Sequence, residues 1–268
     1  MSRPSLTTEQ VKEVCRRYQA GENSVQLALS LHVSPRTIRA WLERAGTPRR
    51  YRPRRYTCDH SYFSAIDTQE KAYWLGFVAA DGYVHQRLCL LKLTLASHDA
   101  SHVQRFAAAL QSTYPLHQRR QGSRYSVAAV GVRSATLVAA LATWGITQRK
   151  SATVPWPAVL RSDLLRHYLR GYVDGNGGFY VYPTGKPTPS FSFSVGSNRS
   201  FLQDAQCYLM QHCDLNRTKF DGRRRGASWF ALLRYKGRLQ VSRIFHLLYD
   251  GATVWLPRKR EHIEPWID

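Results

Sequence analysis

The chain has 268 residues, 43% of them hydrophobic, which is enough for one large or two modest domains with a real core. Its 39 Lys and Arg outnumber 18 Asp and Glu, a net charge of +21 that implies a polyanionic partner, nucleic acid or an anionic membrane. A membrane is disfavoured, because apolar stretches such as Leu137 to Leu141 are short and no basic amphipathic helix stands out. The first 20 residues lack the apolar run of a secretory signal, and five cysteines without a Cys-x-x-Cys argue against a zinc finger or disulfide framework and for a reducing, intracellular setting.

Residues 1–46 read as three short helices. Thr7 or Thr8 caps the first, with Val11, Val14, Cys15 and Tyr18 at helical spacing and Gly21 as its end. Ser24 opens the second, carrying Val25, Leu27, Ala28 and Leu31. A tight Leu31-His32-Val33 turn leads to Ser34-Pro35, an N-cap with proline at the first helical position. The third helix turns Ile38, Trp41 and Leu42 inward and Arg36, Thr37, Arg39 and Arg44 outward. This pattern resembles the helix-turn-helix of resolvase-like and transposase-like DNA-binding domains, whose last helix enters the major groove. Residues 47–60 form a linker. Its Arg49, Arg50, Arg52, Arg54 and Arg55, with two prolines, suit an extended arm in a narrow minor groove.

Residues 61–160 and 161–268 read as two repeats. Each opens on an apolar helix: Tyr73-Trp74-Leu75-Gly76-Phe77-Val78-Ala79-Ala80-Asp81-Gly82, then Tyr168-Leu169-Arg170-Gly171-Tyr172-Val173-Asp174-Gly175-Asn176-Gly177. Small residues four apart (Gly76 and Ala80, Gly171 and Gly175) share a helix face and permit close approach of two backbones. Each helix is expected to stop at a glycine cap, Gly82 or Gly177. Asp81 and Asn176 then meet at one end of the seam. In the first half a hairpin is predicted over Tyr83 to Ser97, with Leu91, Leu93 and Leu95 inward and Lys92 and Thr94 free. Asp99 caps the next helix. A second hairpin turns near Gln121 to Ser123, flanked by Arg119, Arg120 and Arg124, and a helix runs from Arg133 to Trp144. The second half repeats this order. Its helix covers Leu164 to Asn176, its strand Phe191 to Val195 leaves Ser192 and Ser194 on the free face, and its second hairpin carries Arg223, Arg224, Arg225 and Arg234. Helices over Phe201 to His212 and Gly237 to Leu248 complete it. No pair or cluster of the ten histidines has catalytic spacing.

The two motif copies resemble those of the LAGLIDADG homing endonucleases in their single-chain, two-repeat form. So do Glu70 to Gly76, Trp144-Gly145-Ile146 with Lys150-Ser151, and Leu256 to Arg260. The resemblance implies an α+β fold: two pseudo-twofold-related αββαββα repeats forming a DNA-binding saddle, here preceded by the all-α helix-turn-helix domain. It implies metal-dependent hydrolysis of double-stranded DNA at a long asymmetric site, by a monomer tied to intron or intein mobility, in a bacterial, phage-infected or organellar host. Mg2+ is the implied cofactor, with Mn2+ or Ca2+ able to replace it. The implied ligands are Asp81, Asn176 and the carbonyls of Ala80 and Gly175, with Lys150 and Lys259 as cations near the phosphates. The family has an acid at the eighth motif position of both copies, whereas the second copy here has Asn176. A neutral ligand there leaves three readings: a strand-biased nickase, an element kept for binding, or a deliberate replacement. The alternative class is a non-catalytic DNA-binding regulator or an intron RNA maturase.

Overall fold

The computed structural model describes residues 7–48, 55–121, 125–185, 188–225 and 228–267. Two compact units divide at Met1–Arg55 and Tyr56–Asp268. Residues 56–60 therefore belong to the second unit, where Thr57 N donates to Thr113 Oγ1 at 2.8 Å and Asp59 N to Leu110 O at 2.8 Å.

The first unit packs α1 (Thr8–Gln19), α2 (Ser24–Ser30) and α3 (Pro35–Arg44) around Val14, Leu27, Ala28, Ile38, Trp41 and Leu42. Thr7 and Gln10 form a reciprocal capping box on α1. Ser24 opens α2 as expected, directly after the cap Asn23, whose Oδ1 accepts from Val25 N and Gln26 N. Ser34 caps α3, and the tight turn before it needs a positive φ at His32.

The second unit holds the repeats. The first contains α4 (Gln69–Asp81), β1 (Tyr83–His85), β2 (Leu90–Ala96), α5 (Ala100–Ala109), β3 (His117–Gln121), β4 (Tyr125–Arg133) and α6 (Ala135–Thr143). The second contains α7 (Ser162–Asn176), β5 (Gly177–Tyr182), β6 (Ser190–Ser197), α8 (Arg199–Cys213), β7 (Asp221–Arg225), β8 (Ser228–Lys236) and α9 (Arg238–Tyr249), then α10 (Pro257–Ile263). Both sheets are antiparallel with matching orders, β1-β2-β4-β3 and β5-β6-β8-β7. The expected α+β architecture of two αββαββα repeats is therefore present. Residues 122–124, the tip of the hairpin that includes Arg124, lie outside the described residues, as do Arg49, Arg50, Arg52 and Arg54. Among the described residues no helix is long and apolar enough to cross a membrane, and the five cysteines are free.

One core joins the halves through α4 and α7. The seam is reciprocal. A Cβ on Gly76 would collide with the carbonyl oxygen of Tyr168, and one on Gly171 with that of Tyr73. Gly175 lies against Ala80, and its Cβ would stand 3.4 Å from Asp81 N. Gly82 and Gly177 do not cap in the left-handed conformation, since both are extended. They are glycines because a Cβ would meet Val78 O at 2.7 Å or Ser194 O at 2.6 Å.

Three local expectations shift. The helix expected from Arg133 begins at Ala135, because Arg133 ends β4 and Ser134 caps α6 through Leu137 N. Asp99 stands at the cap position of α5 without a side-chain cap bond; its buried carboxylate pairs with Arg258 at 3.0 Å. The basic end, Arg258-Lys259-Arg260, is helical, with Pro257 at the start of α10.

Candidate active site and nucleic-acid interface

The C-terminal ends of α4 and α7 come together at the close of the seam. Each end leaves carbonyls without helical partners and the negative pole of a helix dipole, an arrangement that repels a phosphate. Two lysines answer it. Lys150 Nζ donates to Gly82 O at 2.5 Å and Ala80 O at 3.4 Å. Lys259 Nζ donates to Asp174 O at 2.5 Å, Gly177 O at 2.6 Å and Val173 O at 3.2 Å. Lys150 is buried and enters from a 3-10 turn whose preceding residue, Arg149, is left-handed at φ 64°. That conformation costs a non-glycine residue roughly 1–2 kcal/mol. Burial pushes Lys150 down to about 8, with Asp81 pulling the other way. Burial also lowers Lys259, opposed by Asp174 and Asp81.

Asp81 is solvent-accessible on one side and ringed by protein on the others. The protein around it raises its carboxyl pKa; Lys259 and then Lys150 draw it back. Among the described residues nothing donates a hydrogen bond to this carboxylate. Asn176, its counterpart, is half-buried and stands one helical turn after Tyr172, whose hydroxyl donates to Ser197 Oγ at 2.7 Å. Among the described residues no three His, Cys, Asp or Glu side chains gather as a metal site. Asp81 alone still fits the hard, water-rich coordination of Mg2+, in which one or two carboxylates suffice. The Ala80 carbonyl accepts from Lys150 at 3.4 Å, and Gly175 packs against Ala80 at the same end of the seam.

Asp174, two residues before Asn176, is a core acid. It accepts from Tyr249 Oη at 2.6 Å, Tyr73 Oη at 2.8 Å and Leu256 N at 2.8 Å. Burial raises its pKa against those bonds. Beside it Arg170 is wholly buried, donating to Val254 O and Leu248 O. His102, pushed by burial to about 3, is neutral and meets Tyr73 Oη at 2.9 Å.

Strand register places the remaining candidates. Lys92 and Thr94 alternate with buried Leu91, Leu93 and Leu95. Through Ala129 and Val127 they share their face with His117 and Arg119, while Arg120 falls on the alternate row. Ser192 and Ser194 lie opposite the aromatic face of β6 but are buried, because Tyr180, Lys236 and Arg234 flank them on both neighbouring strands. Arg234 is paired with Asp221 at 3.0 Å. Arg223, Arg224 and Arg225 are the last three residues of β7, paired in register with Phe230, Trp229 and Ser228. In the first unit Arg36, Arg39 and Arg44 are exposed; Thr37 is engaged with Ser34, its hydroxyls 2.8 Å apart. Arg55 is exposed.

Several residues of these surfaces went unmarked in the sequence. Tyr83, Tyr180 and Tyr182 are exposed on the edge strands, with the last two stacked at 6.2 Å. Period-two alternation from Gly178 onward was the available signal for Tyr180 and Tyr182. Tyr172 was visible as the one hydroxyl where the first copy has Phe77.

No protein-family profile matches the chain, and no curated protein does. Solved structures show similarity of fold. The LAGLIDADG meganuclease I-CpaMI bound to uncleaved DNA is 10% identical, with a TM-score of 0.48 over 74% of this chain and 89% of that one. The homing endonuclease I-WcaI bound to its DNA recognition sequence is 11% identical, with a TM-score of 0.48 over 76% and 90%. Full-length DUF199/WhiA from Thermatoga maritima is also 11% identical, with a TM-score of 0.45 over 77% and 64%. Overlap this low leaves the chemistry to the chain's own residues.

Proposed function

We propose that this chain binds double-stranded DNA along the open faces of its two sheets and hydrolyses one strand at Asp81 with a divalent cation. The observation that carries this is the Asp81 carboxylate: accessible, free of donors among the described residues, and flanked by two lysines at the junction of the halves. A buried or salt-bridged acid is an ordinary structural feature; an open one at a tight helix seam has no packing role. Asp81 would hold a divalent cation there, and that ion would supply charge neutralisation at the phosphate and a water of lowered pKa. Lys150 and Lys259 offset the helix-end carbonyls so that a phosphate can approach. Position 176 brings no charge, so the second strand is left uncut or cut slowly. The exposed arginines of α3 and the linker arginines lengthen the contact.

The test is a supercoiled plasmid carrying a target selected from a random pool. In Mg2+ the wild type should give nicked circles and little linear DNA. Asp81→Asn should lower nicking by about 100-fold or more, with binding nearly unchanged. Efficient linearisation, or nicking that survives in Asp81→Asn, overturns the reading. Asn176 favours a second reading, a DNA- or RNA-binding regulator or maturase without cleavage, which predicts binding and no nicks with any divalent metal.

A further inference from the structure

The two sheets share their strand order but not the finish of one edge. β3 begins opposite Ala129 and β7 opposite Leu232, so the last residues of β4 (130–133) and of β8 (233–236) run past their outer neighbours. In the first repeat this notch is closed. Tyr114 Oη donates to Arg133 O at 3.3 Å, the Tyr56 ring lies 5.3 Å from that of Tyr114, and Thr113 N donates to Thr57 O at 3.0 Å. In the second repeat the segment before α7 goes elsewhere, and its Trp156 packs on Tyr168, Phe201 and Tyr208. The matching notch is a cleft of about 510 Å³ between the stretch 216–219 and the end of β8. Arg217, Lys219, Arg234 and Lys236 line it, with Asp221 and Gln240. Arg217, Lys219 and Lys236 are exposed, and among the described residues nothing pairs with their side chains. Asp221 pairs with Arg234 at 3.0 Å.

We propose that this cleft is a phosphate-binding site outside the motif junction, and that its occupant is a backbone phosphate of duplex DNA. Cations that share one cleft oppose one another, and a bound anion removes that cost. Arginine and lysine together offer phosphate a fork and a point charge. The cleft wall is preformed. Buried Gln206, in α8, donates to Thr218 O at 2.9 Å, and Arg243, in α9, donates to Asp214 O at 2.9 Å, so two helices hold the stretch that carries Arg217 and Lys219. α9 also starts at the cleft: Gln240 lies in its first turn, and Gly237 gives it no side-chain cap. The uncapped N–H groups and the positive pole of that helix add to the field of the cations. Arg234 and Lys236 stand in register with Ser194 and Ser192, so the cleft borders the open face of the second sheet. That duplex DNA delivers the phosphate rests on the reading above; the affinity of the cleft for phosphate does not. Asp221 steadies Arg234 but brings a negative charge to the cleft, so it weakens an anion complex. The first repeat, its notch closed by Tyr114, makes no such contact, and one half of the target alone is held this way.

The full-length chain tests this as wild type, as Arg217→Gln combined with Lys219→Gln, and as Asp221→Asn, each variant first matched to wild type by its urea midpoint. The first probe is inorganic phosphate, read by backbone amide shifts against chloride at equal ionic strength. Phosphate should give saturable shifts confined to residues 216–221 and 234–240. The double variant should bind it about tenfold or more weakly, and Asp221→Asn more tightly than wild type. Shifts spread over the whole basic surface, or equal affinities in the three proteins, overturn the site. The second probe is a selected duplex without divalent metal. The double variant should lose affinity evenly across target sequences, and its plot of log affinity against log salt should be shallower by about 1. Ethylation of single phosphates should find a position in one half of the target where the modification weakens wild type and not the double variant. An unchanged slope and no such position overturn DNA as the source and leave the cleft to a small anion. If wild type binds no duplex, the nuclease reading fails, and the inorganic phosphate titration still decides the cleft.

Discussion

Lys150 shows how a single side chain links the site to the stability of the fold. Its folded pKa of about 8 lies below the 10.5 of an unperturbed lysine. Between those values the unfolded chain binds the extra proton, so this group's contribution to stability rises with pH, is complete above about 10.5, and is lost as pH falls through about 8. Wild type should therefore gain on Lys150→Met by roughly 2–3 kcal/mol from pH 7 to 10.5, measured by urea midpoints. A gap that does not move with pH would mean that the ammonium titrates as if exposed. Asp174 is the contrasting case. It receives three buried donors, and Asp174→Leu would leave the Tyr249 phenol and the Leu256 N–H unpaired and Tyr73 with His102 alone. A loss of roughly 3–5 kcal/mol is expected in denaturant titration. Asp81 and Asn176 were legible in the sequence as residues of the candidate site because the motif repeats. Lys150 and Lys259 were legible as cations but not as helix-end donors. That role depends on where a distant turn and the last helix return to the seam, and no local pattern encodes it.

At the scale of elements, the α4–α7 seam is the most sensitive place in the chain. The glycines that make it were readable from their spacing of four, and the leucine alternation of β2 was equally plain. Gly76→Ala and Gly171→Ala each drive a methyl into a backbone carbonyl of the facing helix, which neither a rotamer change nor a side-chain shift relieves. Each should cost about 1–3 kcal/mol or more, with the Asp81 corner displaced as the helices part. Calorimetry on the single and double variants should show strong non-additivity, since one separation relieves both clashes. Gly82 and Gly177 stand at the C-caps as expected, but in the extended conformation and not the left-handed one usual for glycine there. Here both turn directly into extended chain, and the constraint is contact with Val78 or with Ser194 on the neighbouring strand. Ser192 and Ser194 were likewise placed on the right face, but two small hydroxyls between long neighbours are shaded. Alternation gives direction; it does not give the height of what stands alongside.

For the whole molecule, the excess of positive charge makes any polyanion complex depend steeply on salt. If six to ten phosphates are contacted, affinity should fall roughly 10³-fold or more between 50 and 200 mM salt. A nearly flat plot of log affinity against log salt would rule out a long DNA interface. The second unit has its own core, separate from that of α1 to α3. Removing residues 1–55 should leave a cooperatively unfolding protein with its site in place, a shorter footprint and weaker binding. Failure of the truncated chain to fold would show that the first unit is needed for stability.

The reciprocal seam also says something about ancestry and about design. Gly76 receives the Tyr168 carbonyl as Gly171 receives the Tyr73 carbonyl, so each half offers the face that it accepts. Such a face is self-complementary, as an isologous dimer requires. Separated at about residue 160 and paired with a second copy of itself, the first half would join two Phe77–Asp81 corners, a symmetric protein with two motif carboxylates. The second half paired with itself would join two Tyr172–Asn176 corners and no motif carboxylate. The single chain combines one corner of each kind, an asymmetry that neither symmetric dimer can hold.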